Sequence, residues 1–348
     1  MNILFCGPGY CAGNFGDDAI LAGALRSARS TLDNDTKYGA IIYSDRFSDE
    51  KLGLDISFQY PTEIDAAFSW ASLIILGGAS LIGAWGIPRC AELILKAKKL
   101  KKRICMIGVG VSDLGPKRNL DIIKSVFGYL DLISVRSDFD REQAILYGIH
   151  PDKLFVSGDL AFAAEFPKRN DTRGNLLGVN LVDEKMSLTF SYADNMRRFL
   201  LNYKDDILFL CGDIRKENIL DYGLLSDLAS YLKKPLFCKY LTYIEFLDVL
   251  KSCNLVITMR MHMMIFCAVL GIPCVPIARE MKTFIMASYL GVKEVLTLNG
   301  SYNVFEETLN RCLLDPESLI VSEFLIDDIK EKSFMKNGFF LKKAVENV

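Results

Sequence analysis

The sequence predicts an α/β fold with parallel sheets, on three observations. Short apolar runs alternate with turns and longer amphipathic segments along the whole chain, which is how parallel strands flanked by helices read. The 348 residues are 51% hydrophobic and 24% charged, an ordinary globular balance, and at ~150 residues per domain that length favours two domains. The polar, turn-rich stretch Phe166 to Gly174 separates two sets of such units and reads as an interdomain linker.

In the first half the strand candidates are Asn2 to Cys6, Ala40 to Ser44, Leu73 to Leu76, Ile104 to Val109, Leu132 to Val135 and Leu154 to Val156, with helical stretches such as Asp17 to Thr31, Arg89 to Lys99 and Asp138 to Tyr147 between them. The second set offers Leu176 to Leu181, Ile207 to Cys211, Pro235 to Lys239, Leu255 to Thr258 and Cys274 to Pro276, separated by helices such as Leu220 to Lys233 and Tyr243 to Ser252. The expected domains are therefore 1–165 and 175–315, two α/β halves facing a shared cleft. The tail 316–348 has the alternating charges of a surface helix and is expected to pack back on the first domain.

Composition removes several function classes. Lys plus Arg at 41 against Asp plus Glu at 43 leaves a net charge of -2, so no global positive field exists to hold nucleic acid. The ten cysteines form no CxxC pair and only two histidines are present, which favours reduced core thiols and argues against a metal site. Two uncharged stretches, Ala66 to Pro88 and Met261 to Ala278, imitate membrane spans, but glycines and prolines break both. With no signal peptide and no transmembrane helix expected, the protein is assigned to the cytoplasm. Contact with the inner face of the membrane stays open, although no basic amphipathic anchor stands out.

In open parallel sheets ligands bind beyond the carboxyl ends of the strands, so residues just after strands carry the functional reading. The first strand runs into a glycine-rich loop, Gly7 to Asp18, which includes Asn14 and Gly16. Asp17 and Asp18 at the helix start would repel a pyrophosphate, so a dinucleotide is disfavoured. Asp17 is either an ordinary first-turn acid or an acceptor for a sugar hydroxyl. The second turn, Gly77-Gly78-Ala79-Ser80, either exposes amide donors to an anion or serves close packing.

Three cations follow strands: Arg136, Arg260 and Lys282. Arginine there holds a carboxylate or phosphate bidentately, which points to a small substrate with more than one negative charge. For Arg136 a structural ion pair with Asp138 or Asp140 is the competing account. The sharpest feature is Thr258 to Phe266, where Arg260 and His262 interrupt an otherwise apolar strand-to-helix passage. His262 is either a satisfied core histidine or a titrating acid or base beside a guanidinium, and the cost of burying both residues without a purpose favours the second. His150 lies in a polar turn and reads as a bystander. Asp213, Glu217 and Asp221 follow the strand ending at Cys211; one of them activates a hydroxyl, or all three are solvated helix-start residues.

Together, the loop ending in Gly16-Asp17, the Gly77-Gly78 turn, Val135-Arg136, Gly158-Asp159 and Arg260-Met261-His262 followed by Gly271-Ile272-Pro273 resemble the polysaccharide pyruvyl transferases over about Met1 to Leu313. The resemblance implies a GT-B-like architecture of two Rossmann-like domains. It also implies transfer of a pyruvyl group from phosphoenolpyruvate to a sugar of a cell-surface polysaccharide or its lipid-linked precursor, as a cyclic ketal. On this reading His262, Asp17 and Asp221 are catalytic; Arg136, Arg260, Lys282, Gly77, Gly78, Ser80, Asn14 and Gly16 bind substrate; no metal or cofactor is needed. The sequence departs from the family pattern at Ala79, in place of a third glycine, and at Ser137, where an aspartate is common. The alternatives are a nucleotide-sugar-dependent glycosyltransferase and a non-catalytic glycan-binding protein.

Overall fold

The computed structural model describes residues 1–44, 52–169, 174–182, 192–213, 219–232, 236–238 and 242–346. Glu217, both ends of the expected strand Pro235 to Lys239, and residues 170–173 of the expected linker lie outside the described residues. The chain divides into two compact units, Met1–Glu165 with Asp328–Val348, and Phe166–Asp327.

The first unit carries β1 (Asn2–Cys6), β2 (Lys37–Ile42), β3 (Ile56–Gln59), β4 (Leu73–Gly77), β5 (Arg103–Val109), β6 (Ile133–Val135) and β7 (Leu154–Val156). They form one parallel sheet in the order β3-β2-β1-β4-β5-β6-β7. Ile3 to Cys6 and all of β4 are buried without alternation, as expected of central strands covered on both faces. The helices are α1 (Phe15–Thr31), α2 (Ile64–Trp70), α3 (Gly86–Lys99), α4 (Lys117–Val126) and α5 (Asp138–Leu146).

The second unit repeats the plan with β8 (Leu176–Asn180), β9 (Ile207–Leu210), β10 (Leu236–Cys238), β11 (Cys253–Thr258), β12 (Cys274–Ala278) and β13 (Leu296–Thr297). Their parallel order is β10-β9-β8-β11-β12-β13. The helices are α6 (Tyr192–Asn202), α7 (Ile219–Ser230), α8 (Tyr243–Leu250), α9 (Met261–Leu270), α10 (Met281–Tyr289) and α11 (Tyr302–Leu314), and α12 (Glu323–Glu346) closes the chain. Each sheet thus reverses its strand order once, between β1 and β4 and between β8 and β11. The carboxyl edge at such a reversal is where this fold opens a binding crevice.

The second unit extends past the expected limit of 315, to Asp327, because Leu319 packs into its core with Leu309 and Cys312. From Asp328 onward α12 belongs to the first unit. There Ser333 Oγ donates to the Asp159 carbonyl at 2.7 Å, and buried Asn337 donates to the Ser157 carbonyl at 3.4 Å.

Gly23 lies in the middle of α1, a position where glycine costs ~1 kcal/mol relative to alanine. A Cβ there would overlap the Leu160 carbonyl oxygen, so the helix needs glycine to approach that backbone. Gly23→Ala is therefore expected to destabilise by about 1–3 kcal/mol, read in a urea melt. A stabilised variant, the outcome helix propensity alone predicts, would show that this contact relaxes without cost.

Candidate functional site

In the first unit β1 delivers the glycine-rich loop to the switch point, where Tyr10 ties it to the neighbouring strand. The Tyr10 hydroxyl donates to the Gly77 carbonyl at 2.9 Å, and its ring covers Gly7, where a Cβ would overlap it. Asn14 is the N-cap of α1 and accepts from the Gly16 amide at 3.0 Å, while Asp18 accepts from the Cys11 amide at 2.8 Å. Asn14 and Gly16, both expected to contact substrate, are thus hydrogen-bonded to each other within the loop. Asp17, expected to take a proton from a sugar hydroxyl, is only 3% exposed.

The second glycine turn is tied into the fold in the same way. Its Gly78 amide donates to the Ile107 carbonyl at 2.9 Å, and the Ala79 carbonyl accepts from Gly110 at 2.6 Å. Gly78 adopts φ +65° with Ile20 pressed against the place a Cβ would take, so the turn serves close packing of α1. Ser80 is half-buried beside it. Arg136, expected in the anion clamp, follows β6 but is buried between two carboxylates, 3.7 Å from Asp140 and 3.5 Å from Asp159. Asp140 in turn accepts from the Val111 amide and Asp159 from the Ala161 amide. This is the structural ion-pair account, with Asp159 added as a partner.

Sequence reasoning missed Arg89. From the first turn of α3 it donates to the Pro8 carbonyl at 3.2 Å and lies over the rings of Tyr43 and Tyr60, at 4.8 and 4.7 Å. Burial depresses its pKa. No spacing rule marks it, because its partners come from three separate loops.

The second unit brings its predicted residues together at the β8/β11 switch point. Thr258 ends β11, and its hydroxyl donates to Asn180 Oδ1 at 2.7 Å and accepts from the Arg260 amide at 3.0 Å. Asn180, at the end of β8, donates to the Leu210 carbonyl at 2.7 Å. This buried chain fixes the backbone from which Arg260 projects as the N-cap residue of α9. Gly212 leaves room for the guanidinium stem, since a Cβ would stand 2.9 Å from Arg260 Cδ. Arg260 Nε and Nη2 both reach Asp221 Oδ2, at 2.7 and 2.6 Å, and Nη2 lies 3.4 Å from Asp213. His262, half-buried, occupies the second position of α9.

Two expectations change here. Asp221, expected as a hydroxyl-activating base, is fully buried and holds the arginine. Burial raises its carboxyl, Arg260 offsets this only in part and Asp213 adds to the rise, so it titrates at about 6. Lys282 stands in the first turn of α10, 2.8 Å from Glu280, which also accepts from Arg279 Nε at 2.9 Å. Burial works against ionisation of Glu280, yet Lys282 and Arg279 outweigh it and bring it down to about 2. What was expected to be a cationic pocket is therefore a compensated cluster of Arg260, Arg279 and Lys282 with Asp213, Asp221 and Glu280. Arg279 was missed, although it directly follows β12 as the other cations follow their strands.

Such a cluster recognises an anion by exchange: the ligand's oxygens replace carboxylates on preoriented donors. Among the described residues no group of three or more histidine, cysteine, aspartate and glutamate side chains could hold a metal ion. Among them, too, no helix is long and apolar enough to cross a membrane.

Residues 14–280 match the model of a family described as polysaccharide pyruvyl transferase. No curated protein sequence matches the chain. Among solved structures it is similar to the UDP-GlcNAc 2-epimerase of Methanocaldococcus jannaschii in complex with UDP-GlcNAc and UDP, with TM-score 0.66 and 15% identity over 100% of both chains. The UDP-GlcNAc 2-epimerase of Neisseria meningitidis bound to UDP-GlcNAc gives 0.63 and 9%, again over 100% of both. Anabaena HepE in complex with UDP and glucose gives 0.64 and 10%, over 100% of this chain and 98% of that one. At such identities the shared property is the fold, two Rossmann-like α/β domains of the GT-B-like class.

Proposed function

We propose that this chain, which belongs to the polysaccharide pyruvyl transferase family, moves the pyruvyl group of phosphoenolpyruvate onto a sugar, forming a cyclic ketal and releasing phosphate. The acceptor is a glycan or its lipid-linked precursor. The observation that carries the reading is Arg260 followed by His262 at the β8/β11 switch point, with Arg279 and Lys282 following the adjacent strand. Phosphoenolpyruvate bears a carboxylate and a phosphate, and these cations offer them donors of the right sign once its oxygens replace carboxylates of the cluster.

On this reading an oxygen of the donor replaces one of the two carboxylates on Arg260, and the other keeps its fork oriented. His262 delivers a proton to the methylene carbon, which becomes the methyl group, and C2 becomes cationic. One sugar hydroxyl attacks C2 and loses its proton, the C2–O bond to phosphate breaks, and a neighbouring hydroxyl closes the ketal. Two hydroxyl protons leave while one is delivered to carbon, and the other departs with phosphate. The guanidinium stabilises negative charge on the leaving group as it develops.

Nucleotide-sugar transfer is the second reading, favoured by the bound UDP-sugars of the structural neighbours. A ligand at a hundred times its dissociation constant adds about 2.7 kcal/mol to stability. Phosphoenolpyruvate is therefore expected to raise Tm, and UDP and GDP to leave it unchanged. The reverse result would replace pyruvyl transfer with the second reading.

A further inference from the structure

The loop joining β4 to α3 holds a tryptophan that packing does not explain. Trp85 is 94% exposed, and it is the one exposed large apolar side chain between residues 78 and 94; its neighbours Leu81, Ile82 and Ile87 are buried. The loop around it is fixed. Ile82 donates to the Gly110 carbonyl at 3.2 Å and accepts from Ser112 at 2.9 Å. Ala84, immediately before Trp85, donates to the Asp113 carbonyl at 2.9 Å and accepts from buried Asn119 at 3.1 Å. Gly86, immediately after it, donates to the Gly83 carbonyl at 3.1 Å. One turn further along α3, Arg89 ties this segment to Pro8 of the first glycine-rich loop. Trp85 therefore stands at the carboxyl edge of the sheet, on the same side as the β1/β4 switch point.

An indole held in water on a fixed loop offers a large, flat apolar surface whose ordering cost has already been met. We propose that Trp85 is the platform on which a pyranose of the acceptor glycan stacks; this rests on the polysaccharide-modifying function above. A pyranose ring presents a face of C–H groups to an aromatic plane while its hydroxyls stay at the rim, in reach of water and polar side chains. A nucleobase would stack as well, but a net charge of -2 provides no field for its phosphates. A membrane surface calls for a broader apolar face than one ring with buried neighbours.

The two tryptophans of the chain, Trp70 and Trp85, make the test direct, since Trp70 is half-buried against Phe58 at 5.7 Å. Methyl glycosides of glucose, galactose, mannose and N-acetylglucosamine, in both anomers, are titrated into the protein while emission is followed. At least one is expected to shift emission to the blue in wild type and not in Trp85→Phe, which keeps only Trp70. By calorimetry Trp85→Ala is expected to weaken that glycoside about tenfold and Trp85→Phe to retain most of its affinity. No response to any glycoside, undiminished binding by Trp85→Ala, or an indole that responds only to anionic lipid vesicles overturns the proposal. Phosphoenolpyruvate is titrated in parallel. A protein that binds it but shows no sugar response loses this inference alone, whereas one that shows the sugar response and ignores phosphoenolpyruvate supports the platform and loses the donor assignment.

Discussion

His262→Ala is expected to lower turnover by about 10²–10⁴-fold, the usual worth of a positioned general acid or base, with the far-ultraviolet spectrum and Tm unchanged. The imidazole stands at the second position of α9, immediately past the arginine, on a helix whose buried face is made by Met263, Met264, Phe266 and Cys267. Those residues hold the helix without it. Phosphate release from phosphoenolpyruvate in the presence of acceptor is the readout, and donor affinity should move far less than kcat. Turnover within a few-fold of wild type would remove His262 from the proton transfer and leave it a positioning residue of the α9 terminus.

Arg260→Lys is expected to cost donor affinity about 10- to 100-fold, because a point charge cannot reproduce two parallel charge-assisted hydrogen bonds. In the unliganded cluster those bonds go to Asp221, so the companion variant Asp221→Asn separates competition from positioning. Competition predicts that Asp221→Asn binds phosphoenolpyruvate more tightly at pH 7, since one carboxylate no longer opposes the exchange. Stability adds a second readout. The folded carboxyl titrates at about 6 against an ordinary 3.8, so the folded state binds the proton more tightly than the unfolded one. Its contribution is complete below pH 3.8 and fades as pH rises through 6. Asp221→Asn should therefore lose that part of the pH dependence of Tm between about 4 and 6. A variant that binds donor more weakly would show that the carboxylate aims the guanidinium rather than competing for it, and an unchanged slope would show that Asp221 is not the group titrating near 6.

Most of the fold was legible because buried parallel strands are continuous apolar runs, and Leu73 to Leu76 or Leu255 to Thr258 admit few other readings. The missed strands, Ile56–Gln59 and Leu296–Thr297, lie at sheet edges. They are short, and Ser57 and Gln59 interrupt the first, so neither periodicity nor length marks it. In the site, Arg260 and His262 were legible as polar residues in an apolar passage. Asp213 and Asp221 were visible only as candidates, since their partnership with Arg260 bridges 47 and 39 positions and is made by the order of the strands. The glycine motifs of the first unit left packing and anion binding open: Gly78 and Gly7 meet Ile20 and Tyr10, and a turn built for packing looks in sequence like one built for an anion. Arg136 posed the same choice in a cation, and it pairs with two carboxylates.

The final helix, α12, begins among residues of the second unit and ends among those of the first. Residues from Asp328 onward are translated only after the whole second unit, so Ser157 and Asp159 wait for Ser333 and Asn337 until synthesis has passed through both. The usual order, in which the leading domain finishes folding on the ribosome first, is therefore unavailable to this chain. Its opening unit stays short of its last helical segment until the second unit has been synthesised in full.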